Sequence, residues 1–125
     1  MRFNDDRPIF EQIASMLEGR AASGELAEGD RLPSARELAA SLEVNPNTAA
    51  RALQTLADRG IARSERGSGY FVTAGAADRA LAERRRRFFD EELPRLFASM
   101  RELGIEPATI AERWAALEAS RGDRP

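Results

Sequence analysis

Apolar residues recur at helical spacing over most of this chain, and the places where that spacing breaks mark its elements. Ile9, Phe10, Ile13, Met16 and Leu17 form one stripe, which predicts an amphipathic helix from about Pro8 to Ser23. Pro8 suits the first helical position and Gly24 ends the run. The polar link Glu25 to Arg31 carries Gly29-Asp30, a turn signal, and Arg31-Leu32 is expected to pair briefly as a strand. Pro33 stops any earlier helix. Ser34-Ala35-Arg36-Glu37 then fits a capping box. In that motif the Ser hydroxyl accepts the backbone N–H of Glu37 and the Glu side chain reaches back. A short second helix follows, with Leu38, Ala39 and Leu42 facing inward. After a turn of three or four residues comes a third helix. Asn45 serves as its N-cap and Pro46 as its first residue, Ala49, Ala52, Leu53 and Leu56 line one face, and Gly60 is the left-handed stop.

Two short helices joined by so tight a turn make a helix-turn-helix. Ile61–Glu65 and Tyr70–Thr73 read as short strands flanking Arg66-Gly67-Ser68-Gly69, a hairpin with glycines available for positive φ. Three helices followed by a hairpin is the order of a winged helix-turn-helix. Val72 to Ala77 reads as a joint, so the chain divides into residues 1–74 and 75–125. Beyond the joint a long helix is expected from about Ala77 to Leu103. Phe89, Leu93, Leu96, Met100 and Leu103 are spaced 4, 3, 4 and 3 apart, an a/d seam. Pro94 should kink that helix or split it. Gly104 ends it, and Pro107 opens a last helix carrying Ile110, Trp114 and Leu117; the tail from Arg121 to Pro125 is expected to fray. The fold class is therefore mainly α with a small β-hairpin: a winged helix-turn-helix followed by two C-terminal dimerisation helices.

Composition narrows the chemistry. The 125 residues include no Cys, no His and no Lys; all 19 basic residues are Arg, against 21 Asp and Glu, for a net charge of −2. Disulfides, cysteine zinc sites, thiol nucleophiles, imidazole bases and catalytic lysines are all excluded. No metal or cofactor is expected. Clustered carboxylates such as Asp90, Glu91 and Glu92 lie in one helical run without a conjugate base, so an enzyme is not the expectation. Hydrophobic residues are 42% and charged ones 32%, a globular composition. No apolar run is long enough to cross a membrane, and the start lacks a secretory core, so a cytoplasmic protein without membrane attachment is expected. The charge is unevenly placed. Residues 1–30 hold three Arg against seven acids (−4), residues 31–74 hold six Arg against four acids (+2), and residues 75–125 hold ten of each. The basic excess falls on the helix-turn-helix and hairpin, and local charge decides nucleic-acid contacts.

That placement points to DNA. Asn45, Pro46, Asn47 and Thr48 sit at the start of the third helix, where short polar side chains reach base edges and backbone N–H groups attract phosphate. Arg51 lies one turn on. Arg36 can take a phosphate or a guanine edge bidentately, and Arg66 with Gly67, Ser68 and Gly69 can lie in the minor groove. Taken singly each has a plainer role: Asn45 as a cap, each Arg as a solvated surface group, the glycines as turn formers. The ordered set carries the information. A winged domain kept as a protein-interaction module without DNA binding is the alternative. In the C-terminal part, about 50 residues in two helices cannot enclose a large core, so they pack either on the winged helix or on another chain; the a/d seam favours another chain, and Phe89, Leu93, Leu96, Met100, Leu103, Ile110, Trp114 and Leu117 are expected to form a homodimer interface. Arg84 to Arg87 followed by Asp90 to Glu92 reads first as ion pairs on a solvated face.

The same residues resemble the GntR family of bacterial transcriptional regulators. The resemblance rests on Pro8-Ile9-Phe10-Glu11-Gln12-Ile13, Gly29-Asp30-Arg31-Leu32-Pro33-Ser34-Ala35-Arg36-Glu37-Leu38-Ala39, Val44-Asn45-Pro46-Asn47-Thr48 with Arg51-Ala52-Leu53, and Arg66-Gly67-Ser68-Gly69-Tyr70-Phe71-Val72. It covers residues 8–73, and the Asn-Pro-Asn-Thr form with a short helical C-terminal part is similar to the YtrA-type subgroup. The resemblance implies a homodimer on a roughly palindromic double-stranded operator, usually as a repressor, controlling its own operon and a neighbouring transporter operon. It implies DNA contacts by Arg36, by Asn45 to Thr48, and by Arg66 and Gly67. Many members have Arg where this chain has Ala50, which leaves open whether Arg51 replaces it. Many have Gly in the turn where this chain has Glu43; a left-handed conformation there would cost about 1–2 kcal/mol. A small-molecule effector, unidentified, is left open.

Overall fold

The computed structural model describes residues 1–122; the end of the tail expected to fray lies outside them. In chain order the elements are α1 (Ile9–Ala22), α2 (Ala35–Leu42), α3 (Pro46–Asp58), β1 (Ala62–Glu65), β2 (Gly69–Val72), α4 (Ala76–Arg87), a π-helical turn (Phe88–Glu92), α5 (Leu93–Leu103) and α6 (Pro107–Gly122). The described residues pack as two compact units that divide between Arg85 and Arg86.

In the first unit, α1 begins one residue later than expected. Pro8 is its N-cap (φ −53°, ψ 145°), and the Pro8 carbonyl accepts from Glu11 and Gln12. The Ser34 hydroxyl caps α2 through the Glu37 N–H at 3.1 Å, but the Glu37 carboxylate does not close the box; it lies 3.6 Å from Arg31. The Asn45 side chain caps α3 through the Asn47 N–H at 2.8 Å, with Pro46 in the first turn. Gly60, at φ +75°, ends α3 as the pattern required. β1 and β2 pair antiparallel in the register Ala62↔Val72 to Glu65↔Gly69. Arg31 adds the expected short bridge, to Phe71, with the Leu32 N–H donating to the Tyr70 carbonyl at 2.8 Å.

The core is where the stripes meet. Ile13 and Leu17 of α1, Leu38 of α2, Leu53 and Leu56 of α3, Ile61 and Val72 of the hairpin, and Leu32 before α2 are all buried. A buried Leu or Ile contributes about 1.5–3 kcal/mol. Leu53 of α3, 1% exposed, is among the most buried large side chains of this core. Leu53→Ala is expected to cost about 2–5 kcal/mol, read as a lowered midpoint in urea unfolding.

The packing boundary comes later than the joint near residue 75. Ala76 and Ala80 of α4 are buried in this same core. Arg79 donates to the Ala74 carbonyl at 2.5 Å and to the Gly60 carbonyl at 3.4 Å. The first turns of α4 therefore belong to the winged domain, and the unit runs on to Arg85. The sequence signal at Val72–Ala77 marks a change of element and not a break in the core.

The turn between α2 and α3 holds the one positive-φ residue other than glycine among the described residues: Glu43, at φ 56° and ψ 48°. The left-handed conformation is thus real, and a side chain occupies it. Its backbone N–H donates to the Ala39 carbonyl, closing the helix. Relief of the Cβ strain outweighs the added freedom of glycine in the unfolded chain. Glu43→Gly is expected to stabilise by about 1 kcal/mol and to raise the thermal midpoint by a few degrees.

In the second unit, α5 follows the π turn and carries Pro94 in its first turn. Proline has no N–H to give and its ring crowds the carbonyl of residue i−4. The i→i+5 bonding of the π turn Phe88–Glu92 accommodates both, and the backbone stays right-handed helical at Arg87, Glu92 and Leu93, so the helix takes up Pro94 through a π turn and does not split there. α5 ends at Gly104, and α6 begins at Pro107.

Candidate nucleic-acid interface

Helix α3 buries Ala49, Ala52, Leu53 and Leu56 and leaves Asn47, Ala50, Arg51, Gln54 and Asp58 exposed. Those five fall at offsets of three, four, seven and eleven residues from Asn47, one helical face. Asn47 is thus presented at the open end of α3 with its side chain outward, and Thr48 is half-buried beside it. The Asn45 carbonyl oxygen is committed to the cap, which leaves its NH2 group for an outside partner. Arg36 stands exposed on α2, and Arg66 stands exposed in the loop between the strands.

That loop is tight. The Ser68 N–H donates to the Glu65 carbonyl at 3.0 Å, and Gly67 sits at φ +78° with open space around it. A side chain at Gly67 would be strained by the backbone and not by a neighbour. Gly69 already begins β2.

Three acids of this surface lie against groups other than the candidate cations, while Glu43 in the α2–α3 turn is exposed without an ion pair or side-chain hydrogen bond among the described residues. Glu37 lies 3.6 Å from Arg31, Glu65 lies 2.9 Å from Arg63, and Asp58 accepts from Gln54 at 2.9 Å. Arg36 and Arg66 have no ion pair or hydrogen bond among the described residues. Exposed pairs like these add little stability. Their effect here is to leave two guanidiniums without an ion-pair partner next to the helix-turn-helix, with free donor forks.

The structure adds residues that the sequence reading passed over. The Arg31 Nε donates to the Ser68 carbonyl at 3.1 Å, so one guanidinium ties the wing tip to α2 through Glu37. The Tyr70 hydroxyl, on β2, donates to the Gln54 Oε1 at 3.3 Å and ties the wing to α3. The Arg51 guanidinium sits over the Phe10 ring, 3.9 Å from its centroid. Beneath the surface, fully buried Glu18 of α1 meets Arg59, which follows α3, at 3.4 Å, and Arg59 Nε lies 4.0 Å from Glu83 of α4. An Arg in a short strand pattern was the only signal in the sequence, and it does not name its partner.

The second unit has a different surface. Of the eight seam residues, Met100 is buried and Leu93 half-buried; Phe89, Leu96, Leu103, Ile110, Trp114 and Leu117 are exposed. Leu103 reaches 71% and Trp114 65%. Phe88 is exposed beside Phe89 in the π turn, their rings edge to face at 5.2 Å. Phe97 is exposed as well. Arg86 pairs with Asp90 one turn on at 3.4 Å, the ion pairing expected of that charge run. A recess of about 420 Å³ opens at the α5–α6 turn among Phe97, Met100, Arg101, Ile105 and Pro107. Among the described residues there is no group of three or more potential metal ligands, and no helix long and apolar enough to cross a membrane.

Residues 9–72 match the family described as bacterial regulatory proteins, gntR family. Over 111 residues the chain is 34% identical to the HTH-type transcriptional regulator YhcF of Bacillus subtilis, covering 89% of this chain and 90% of that protein. It is 34% identical over 105 residues to the HTH-type transcriptional repressor YtrA of the same organism, covering 84% and 80%. A GntR family transcriptional regulator from Listeria monocytogenes superposes with a TM-score of 0.71 at 32% identity, over 91% of this chain and 97% of that one. A putative GntR-family regulator from Bacteroides thetaiotaomicron gives 0.72 at 29% identity, over 90% and 98%.

Proposed function

Because this chain belongs to the GntR family of bacterial regulatory proteins, and is a transcriptional regulator with a DNA-binding winged-helix fold, we propose that it acts as a homodimeric repressor. Its target is a roughly palindromic operator at its own operon and a neighbouring transporter operon. In this reading α3 enters the major groove of each half-site with Asn45, Pro46, Asn47 and Thr48 leading and Arg51 one turn behind. Arg36 takes a phosphate or a guanine edge, and the wing, Arg66 to Gly69, lies along the minor groove. The observation that supports it best is the pair of exposed guanidiniums at Arg36 and Arg66 without an ion-pair partner among the described residues, the adjoining acids Glu37 and Glu65 lying against Arg31 and Arg63.

The second copy supplies cover for the second unit. Six exposed seam residues on α5, α6 and the π turn are the composition of an interface centre, and a twofold pair of such faces is self-complementary. Dimerisation sets two reading heads on two half-sites, which a local excess of two positive charges per chain needs for tight binding. A small-molecule effector would enter at the recess of the α5–α6 turn, whose size suits such ligands. The protein works in the cytoplasm, where its operator is. Membership of a family of regulators, and not any missing residue, sets aside the enzyme reading.

The test is to map the sites occupied genome-wide and then to titrate purified protein against its own promoter region. Enrichment at that promoter, with raised transcript on deletion of the gene, is expected. A chain that enriches no DNA region would overturn the proposal in favour of an interaction module.

A further inference from the structure

Arg51 and Phe10 come from different helices and meet face on. The guanidinium carbon of Arg51 is 3.9 Å from the centroid of the Phe10 ring. Phe10 itself is half-buried and packs against the domain core, so the ring is a fixed platform. Arg51 is exposed and shares the outward face of α3 with Asn47 and Gln54. Stacking uses only the flat face of a guanidinium. Its five N–H donors lie in the plane and stay available, and among the described residues the Arg51 side chain makes no hydrogen bond or ion pair. A long arginine side chain loses substantial rotamer freedom when it binds; a stacked one has lost part of it beforehand, and preorganisation of this kind raises affinity.

We propose that Phe10 is the positioning residue for Arg51, holding its donor fork edge-outward on the recognition helix for a paired-acceptor group on DNA. The inference rests on the DNA-binding reading above. Paired acceptors of the right geometry occur on the guanine edge and on a phosphate, and the arms of the experiment separate the two.

The probe is the duplex that the wild-type protein selects from a pool of random-sequence DNA. Arg51→Ala is expected to weaken binding to it about tenfold or more. Phe10→Leu keeps an apolar side chain of similar size but removes the ring, and is expected to weaken binding about 2–5-fold. Phe10→Tyr should restore the wild-type affinity. The deciding readout is the double variant: once Arg51 is Ala, Phe10→Leu should cause no further loss. Selection repeated with Phe10→Leu and with Arg51→Ala should relax the same base-pair position for a guanine contact. For a phosphate contact both variants should weaken all sequences alike, and Arg51→Ala should also lower the salt dependence. Equal losses from Phe10→Leu with and without Arg51, or no loss at all, would overturn the inference while leaving DNA binding intact. Failure of the wild type to select any duplex would overturn the DNA-binding reading and this one with it.

Discussion

An Arg36→Ala/Arg66→Ala protein is expected to lose at least about 100-fold in operator affinity while remaining dimeric and folded. Each direct contact to a base edge or phosphate is worth roughly 1–3 kcal/mol, and in a homodimer each residue acts twice. Both side chains are exposed and unpaired among the described residues, so their removal should change folding stability by less than about 0.5 kcal/mol. The two positions differ in kind. Arg36 is borne on a helix whose cap is intact, whereas Arg66 is borne on a three-residue loop held from behind by Arg31. Salt dependence separates their roles, because each lost phosphate contact lowers the slope of log affinity against log salt by about 0.9. Unchanged affinity in the double variant would exclude the surface built around α2, α3 and the wing.

Charged residues at Phe89 and Leu96 are expected to give monomers, with DNA binding weakened about 10²–10⁴-fold, the advantage that linkage of two sites confers. Both side chains are exposed in the single chain, so Phe89→Glu/Leu96→Glu removes no core packing and the fold should survive. A carboxylate buried without a partner at the dimer centre is costly, and in a twofold interface each substitution is felt twice. Sedimentation should move from dimer to monomer, and the helical circular dichroism should stay. An intact dimer in the double variant would refute this seam. Met100 is the poorer site for such a test, because its side chain is buried within the chain itself and its substitution confounds folding with association.

What the sequence made legible was local. Ser34, Asn45 with Pro46, and Gly60 each act within a few residues of themselves, and each element edge they mark lies where the pattern placed it. The hairpin was readable for the same reason, whereas the split expected at Pro94 is taken up by a π turn in a helix that runs on. The contacts that shape the candidate site were not, because they join distant positions. Arg31 meets Ser68 across 37 residues, and Arg59 meets Glu18 across 41. Nothing in the spacing of apolar residues says which acid an arginine will choose, yet that choice leaves Arg36 and Arg66 free. Phe10 was legible as core, and its outward ring face over Arg51 was not. The π turn was hidden too: an a/d count through Phe89 assumes an undisturbed α-helix, and the π turn Phe88–Glu92 interrupts that count. Glu43 was the reverse case, where a residue ill-suited to its place pointed to the left-handed turn before the backbone was seen.

The central claim is that two copies of this chain read two half-sites of one DNA duplex. The most direct measurement is footprinting and stoichiometric titration on the duplex the wild-type protein selects from random-sequence DNA. Two chains per duplex are expected, with two protected half-sites related by a twofold axis and centred about one helical turn or a multiple of it apart. Selection of no duplex over random competitor, or saturation at one chain with a single protected site, would contradict it.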